Sequence, residues 1–478
     1  MKWFLLLAVF LASCSRRPVP PPAPLHPLPS PAQLRWHAME MNAFVHFSIN
    51  TFTDKEWGYG DESPRLFNPT AFDAGQWTQT FRDTGFKGVI LTCKHHDGFC
   101  LWPSAYTAHS VKNSPWRSGQ GDVVRELADA CRQSGLDFGI YVSPWDRNHA
   151  DYGRPEYLAY YRDQLDELFS AYAPLFEMWF DGANGGDGYY GGAREKRKID
   201  GATYYDWPTT LGLVRKHAPD IIFFSDAGPG VRWVGNERGV AGETNWNMIT
   251  PDTLYAGKGG LEPLLNEGSE NGSHWIPAET DVSIRPGWFY HEREDSLVKS
   301  PEQLFDIYLT SVGRGSTLLL NVPPDRRGLI HERDVASLLG FRALLDTRLR
   351  HDLAREAKAT GTGHRGNHVE YHPSKLVDGD PATYWATDDG VVQGSIELAW
   401  DKPRTIHYVM LQESIELGQR VKAFTVEVRV NGQWNVVASG TTIGYKRILP
   451  VKAVTVSQLR VTITDSRACP VLHTLAVY

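Results

Sequence analysis

Cysteine is scarce in this chain of 478 residues: Cys14, Cys93, Cys100, Cys131 and Cys469 are all there is, and no two of them form a C-x-x-C pair. So small and irregular a set makes a poor disulfide framework. Cys93, Cys100, Cys131 and Cys469 have apolar neighbours and are expected as buried free thiols, with a Cys93–Cys100 bridge as the alternative in an oxidising compartment. Positive charge is short as well. Lys and Arg number 49 against 56 Asp and Glu, a formal net charge of −7, and no basic stripe exists, which argues against nucleic acid as a partner. No Gly-x-Gly-x-x-Gly fingerprint follows the first apolar run, so a dinucleotide-binding, doubly wound sheet is disfavoured. No third ligand stands at recognisable spacing from the pair His95-His96, so hydroxyl hydrogen bonding is favoured there over zinc, and no metal is expected.

The N-terminal apolar segment Trp3–Leu11, preceded by Lys2, is too short to span a bilayer but suits a signal h-region. Leu11-Ala12-Ser13-Cys14 closes it and resembles the bacterial lipobox, in which cleavage before the cysteine leaves that cysteine lipidated. The expectation is an exported bacterial lipoprotein of the periplasm or outer membrane, with residues 1–13 as signal peptide and a membrane anchor at Cys14. Residues 14–30 include Arg16-Arg17-Pro18-Val19-Pro20-Pro21-Pro22-Ala23-Pro24 and read as an extended proline-rich tether.

From 31 to 353 short apolar runs alternate with longer amphipathic ones, the pattern of βα units. Candidate strands are Ala43–Ile49, Gly88–Cys93, Phe138–Ser143, Leu175–Asp181, Ile221–Ser225, a weak sixth at Gly242–Trp246, Thr280–Ile284 and Thr317–Val322. Helix signals lie between them: a capping box at Asp73-x-x-Gln76, an amphipathic run Val123–Gln133 stopped by Gly135, a long one over Pro155–Tyr172, and Ser300-Pro301-Glu302-Gln303. The fold class is α/β, a (β/α)8-like TIM barrel. From 354 to 478 the helical period vanishes. Short alternating strands and the hairpin turn Asn431-Gly432 predict a C-terminal antiparallel β-sandwich.

The stretch Leu175-Phe176-Glu177-Met178-Trp179-Phe180-Asp181-Gly182 organises the barrel half, because a buried strand ending in a carboxylate and a glycine-rich loop delivers Asp181 to the rim where barrel chemistry is done. Other predicted strand ends bring His46, Glu56 and Trp57, His95 and His96, Tyr141, Asp226, Glu237, Arg285 and Trp288. A pocket of His, Tyr, Trp, Arg and carboxylates suits a polyhydroxylated ligand, and the 16 Trp provide flat faces for sugar C–H surfaces.

Phe44–Ser48, Lys94–Phe99, Trp179–Gly182, Arg232–Glu237 and Asp281–Tyr290 resemble, in order, the motifs of glycoside hydrolase family 29, the α-L-fucosidases, and most resemble its α-1,3/1,4-specific branch. The resemblance implies a retaining exo-α-L-fucosidase that needs no cofactor and acts on fucosylated oligosaccharides or glycoconjugates. It makes Asp181 the nucleophile, Glu237 the acid/base, and His46, Glu56, Trp57, His95, His96, Tyr141, Arg285 and Trp288 the substrate contacts. Glu243 is the rival acid/base. Two other readings stay open: a surface glycan-binding lipoprotein without activity, and a barrel glycosidase for another sugar such as a galactoside. The loop Leu376–Trp385 resembles that of discoidin-like (factor 5/8 type C) galactose-binding sandwiches, where it often holds calcium. The chain ends His473-Thr474-Leu475-Ala476-Val477-Tyr478, without the glutamate that commonly completes the site, which puts a structural calcium in doubt.

Overall fold

The computed structural model describes residues 19–478; the signal segment 1–13 and Cys14 lie outside the described residues. Eight short parallel strands close into a barrel: β1 (Met41–Val45), β2 (Gly88–Lys94), β3 (Asp137–Val142), β4 (Glu177–Trp179), β5 (Ile222–Ser225), β6 (Val231–Trp233), β7 (Ala278–Ser283) and β8 (Thr317–Asn321), with β8 pairing back onto β1. Strands such as β1, β2 and β8 are buried along their whole length, because helices cover the outside of the ring and side chains fill its interior. The interior cluster is aromatic: Phe44, Tyr141, Trp179 and Phe224 pack with Ile90, Ile222, Val231 and Leu319, and Trp36 joins from the helix Pro31–Met39.

The helices start and stop where local chemistry directs. Ser300 forms a complete capping box with Gln303, and the helix Val123–Ser134 ends at Gly135, whose φ of 69° is the left-handed conformation glycine adopts most readily. At Ala74–Thr84 only half of the expected box forms. Asp73 accepts from Gln76 N, but the Gln76 amide turns away to bind the backbone of Ile330 at 2.9 and 3.0 Å.

The sixth strand is not where the sequence pattern places it. It is Val231–Trp233, reached from β5 through a tight turn containing Gly230, where a Cβ would stand 2.7 Å from the backbone of Phe223. The segment Gly242–Trp246 instead pairs with the C-terminal domain: Asn245 N donates to Thr442 Oγ1 at 2.8 Å, Gln419 Nε2 donates to Asn245 O at 2.9 Å, and Thr441 Oγ1 donates to Glu243 O at 3.1 Å.

That domain is a seven-stranded antiparallel sheet of β9 (Lys358–Gly361), β10 (Trp385–Ala386), β11 (Gly394–Glu413), β12 (Val421–Val430), β13 (Gln433–Gly440), β14 (Arg447–Ser466) and β15 (Val471–Val477). The long partners β11 and β14 shift register at Ala399/Arg404 and Ile406/Tyr408, and such bulges let a sheet curl over its own core. Asn431 and Gly432 turn the β12–β13 hairpin with φ of 50° and 81°. Trp385 is buried in this core, whereas Trp434 is half-buried beneath Arg460, 4.3 Å from the ring centroid. In the loop Leu376–Trp385, Asp378 and Asp380 accept from their own loop, at Asp380 N and Ala382 N. That set does not fit a calcium site.

The proline-rich segment is not a free tether from residue 19 onward. Tyr371 Oη donates to Val19 O at 3.0 Å, Arg365 Nε to Pro20 O at 2.7 Å, Arg420 to Ala23 O at 2.6 Å, and Leu25 N donates to Leu417 O at 2.9 Å. A proline run has few amide donors and leaves its carbonyls open, so side chains of the sandwich bind it as a strap that leads into the barrel's first helix. Cys93, Cys100, Cys131 and Cys469 are free and buried.

Candidate active site

The C-terminal ends of β1 to β7 open on one pocket of about 240 Å³. Of the candidates from the sequence, all but Arg285 and Glu243 line it: His46, Glu56, Trp57, His95, His96, Tyr141, Asp181, Asp226, Glu237 and Trp288. Asp181 stands two residues beyond β4, with Tyr141 Oη donating to its Oδ2 at 3.0 Å and Ala183 N to its Oδ1 at 2.7 Å. Burial raises its pKa above the usual carboxylate range, and those two donors pull it back down. Gly182 follows because nothing larger fits: a Cβ there would lie 2.1 Å from Asp226 Oδ2.

Glu237 has different surroundings. Only the Trp288 indole donates to it, at 3.3 Å. Burial first, and then the charges of Asp181 and Glu56, raise its pKa. Both carboxyls are raised, but two donors oppose the rise at Asp181 whereas one opposes it at Glu237, where neighbouring negative charges add to it.

The three histidines are neutral. Burial pulls His46 and His96 down to about 3 and lowers His95 well below the usual imidazole value. His46 Nδ1 donates to Asn321 Oδ1 at 2.9 Å. His96 Nδ1 donates to Ser143 Oγ at 2.7 Å, since that hydroxyl gives its own proton to Trp145 O. Each ring then keeps Nε2 as an acceptor for a hydroxyl. His95 and His96 face the pocket together because β2 ends at Lys94, so the two-residue alternation of a strand no longer applies; their ring centroids are 4.1 Å apart. Among the described residues no group of three or more His, Cys, Asp or Glu is arranged for a metal ion.

Glu56 is held by the loop after β7. Trp288 N donates to its Oε2 at 2.8 Å, Phe289 N to its Oε1 at 3.2 Å, and His291 Nε2 lies 2.6 Å from Oε1. Trp57 stands at the rim, 52 % exposed, edge-on to His96 and Trp145.

Residues 31–347 match the family model described as alpha-L-fucosidase. The chain belongs to that family. Residues 356–473 match the F5/8 type C domain. The chain is 42 % identical to Alpha-L-fucosidase 1 of Arabidopsis thaliana over 96 % of its own length and 89 % of the relative's. It is also similar to the crystal structure of a glycoside hydrolase 29 family member from an unknown rumen bacterium, with a TM-score of 0.86 and 45 % identity over 95 % of this chain and 78 % of the other. A Ruminococcus gnavus glycoside hydrolase 29 fucosidase solved in complex with fucose superposes with a TM-score of 0.85 at 32 % identity, covering 96 % and 97 % of the two chains. Fucosidases of this family need no cofactor.

Two sequence candidates stand away from the pocket lining. Arg285 is not a pocket residue. Its side chain is fully buried, pairing with Asp334 at 2.6 Å and Asp295 at 2.9 Å, with Tyr290 stacked on it. β7 ends at Ser283, so strand parity cannot be carried on to residue 285, and the guanidinium supports the loop behind Trp288 instead. Glu243 lies outside the pocket, its side chain 78 % exposed beside Arg314 at the sandwich.

Two further carboxyls in this pocket have no role assigned from sequence. Asp226 accepts from Gly257 N at 2.7 Å, and burial raises it to about 6. Asp281 accepts from the Trp233 indole at 2.9 Å and is raised by burial and by the charge of Glu237. The alternation of β7 was the available signal for Asp281, and the predicted end of the fifth strand was the signal for Asp226.

Proposed function

We propose that this family member is a retaining exo-α-L-fucosidase, acting on α-1,3/1,4-linked fucose of branched oligosaccharides or glycoconjugates by double displacement. Asp181, kept ionised by Tyr141 and Ala183, attacks the anomeric carbon as the glycosidic bond breaks, and Glu237 gives its proton to the departing oxygen. The covalent fucosyl ester on Asp181 is then cleaved by a water whose proton returns to Glu237. His46, His95, His96 and Glu56 meet the sugar hydroxyls, and Trp57 and Trp288 offer flat faces to its C–H surface. The observation that carries this reading is the single small pocket holding Asp181 among donors and Glu237 among negative charges. The α-1,3/1,4 preference rests on the resemblance of the motifs Phe44–Ser48, Lys94–Phe99, Trp179–Gly182, Arg232–Glu237 and Asp281–Tyr290, taken together, to that branch. The lipobox-like Leu11–Cys14 supports export and anchoring at Cys14.

Asp181→Ala should abolish turnover of 4-nitrophenyl α-L-fucoside, and added azide should restore a fucosyl azide of inverted configuration. Near-normal turnover by that variant would overturn the mechanism. Release of fucose from Lewis-type trisaccharides, but not from a 2′-linked fucosyl lactose, tests the linkage.

A further inference from the structure

Below the pocket the barrel holds a second pair of acids. Glu177 on β4 stands two residues before Trp179, and Glu279 on β7 two residues before Asp281, so both face the interior. Each is fully buried. The Trp36 indole donates to Glu177 Oε2 at 3.1 Å, and the Trp179 indole donates to Glu279 Oε1 at 3.0 Å. The remaining oxygens, Glu177 Oε1 and Glu279 Oε2, meet no donor.

Among the described residues no cation pairs with either. Arg232, on the strand beside β7, turns its guanidinium to the carbonyls of Leu265, Ile276 and Trp246. Asp281, the next inward position on β7, already accepts from Trp233. Two uncompensated carboxylates in such a place would be strongly destabilising. One proton between them supplies the missing donor to both free oxygens. Burial raises both groups well above the usual carboxylate range; Glu177 adds to the rise at Glu279, whereas a hydrogen bond with Glu279 opposes the rise at Glu177.

Above the pair, Trp179 is sandwiched. Its ring lies 3.9 Å from Phe224 at 6° and 5.3 Å from Tyr141 at 30°, and Tyr141 is the phenol that donates to Asp181. Displacing the indole therefore displaces that donor.

We propose that Glu177 and Glu279 share a single proton and act as positioning residues, fixing Trp179 and through it the Tyr141 hydroxyl that serves Asp181. The proposal rests on Asp181 being the nucleophile. Failure of that assignment would appear separately, as turnover retained by Asp181→Ala.

The test compares an amide with an apolar replacement. In Glu279→Gln the amide oxygen still accepts from Trp179 and the NH₂ still donates to Glu177, with no proton to lose. Glu279→Leu leaves the Trp179 indole and Glu177 Oε1 unpartnered. The substrate is 2,4-dinitrophenyl α-L-fucoside, whose departure barely needs the proton of Glu237, so an alkaline fall in kcat/KM reports the pair. Glu279→Leu should lower kcat/KM by about 10–100-fold, as small misplacements at an active site do. Glu279→Gln should stay close to wild type at neutral pH and lose the alkaline fall that wild type shows. Glu177→Gln should repeat that pH profile, which keeps the test decisive if the leucine variant does not fold. Equal loss in the glutamine and leucine variants, or an alkaline fall unchanged in both glutamine variants, would overturn the proposal.

Discussion

Tyr141→Phe removes one atom from the pocket, the phenol oxygen 3.0 Å from Asp181 Oδ2. The ring keeps its packing on Trp179 and His95, so folding should be unaffected. A hydrogen bond to a charged group contributes about 1.5–3 kcal/mol; at about 1.36 kcal/mol per pKa unit, its loss raises the pKa of Asp181 by about 1–2 units. Asp181 is 23 % exposed and keeps its bond from Ala183 N, which favours the lower end. Burial raises this carboxyl and the phenol opposes it, so removing the phenol moves the pKa further up. The nucleophile works ionised, and activity is lost as pH falls through its pKa. The acid limb of kcat/KM should therefore move to higher pH by about one unit, with a smaller change on the plateau. The profile on 4-nitrophenyl α-L-fucoside from about pH 4 to 9 measures it. A uniform drop at all pH values with an unmoved acid limb would refute the reasoning and leave Tyr141 as a substrate contact alone.

Glu237→Gln should lose about 10²–10⁴-fold on a substrate with a poor leaving group and far less on 2,4-dinitrophenyl fucoside, whereas Glu243→Gln, exposed at the sandwich, should leave both rates within a few-fold of wild type; the reverse pattern would exchange the two roles. Arg285→Met leaves Asp334 buried without its partner and should destabilise the protein by about 3–5 kcal/mol. Denaturant unfolding checks this, and the deficit should shrink at acid pH as Asp334 takes up a proton. An unchanged midpoint would mean that Arg285 does not support the loop. Cys14→Ala should move the protein from the membrane fraction to the soluble fraction of a Gram-negative host, and equal recovery with membranes would remove the lipid anchor.

Much of the barrel is legible in local pattern. Short apolar runs such as Gly88–Cys93 and Thr317–Val322 become strands, and caps such as Ser300 and Gly135 sit where a helix must begin or end. The sixth strand fails because Val231–Trp233 is three residues long, too short to show a period. Gly242–Trp246 has the composition of a strand, but its partners Thr441, Thr442 and Gln419 lie almost two hundred residues away in sequence. The strap at residues 19–30 fails similarly: proline dictates an extended chain, and only the folded sandwich offers it Arg365, Tyr371 and Arg420.

The sequence by itself determined most of the strands, helices and turns, since those follow from spacing along the chain, and it named most of the pocket through short motifs at strand ends. Tertiary structure decided which of those ends meet. Closure of the ring brings Asp226 and Asp281 to the nucleophile and sends Arg285 to Asp334 behind the loop. It also places Glu177 against Glu279 in the barrel's interior, because the distance between two strands in a ring depends on the order in which they pair and leaves no trace in the pattern of either strand.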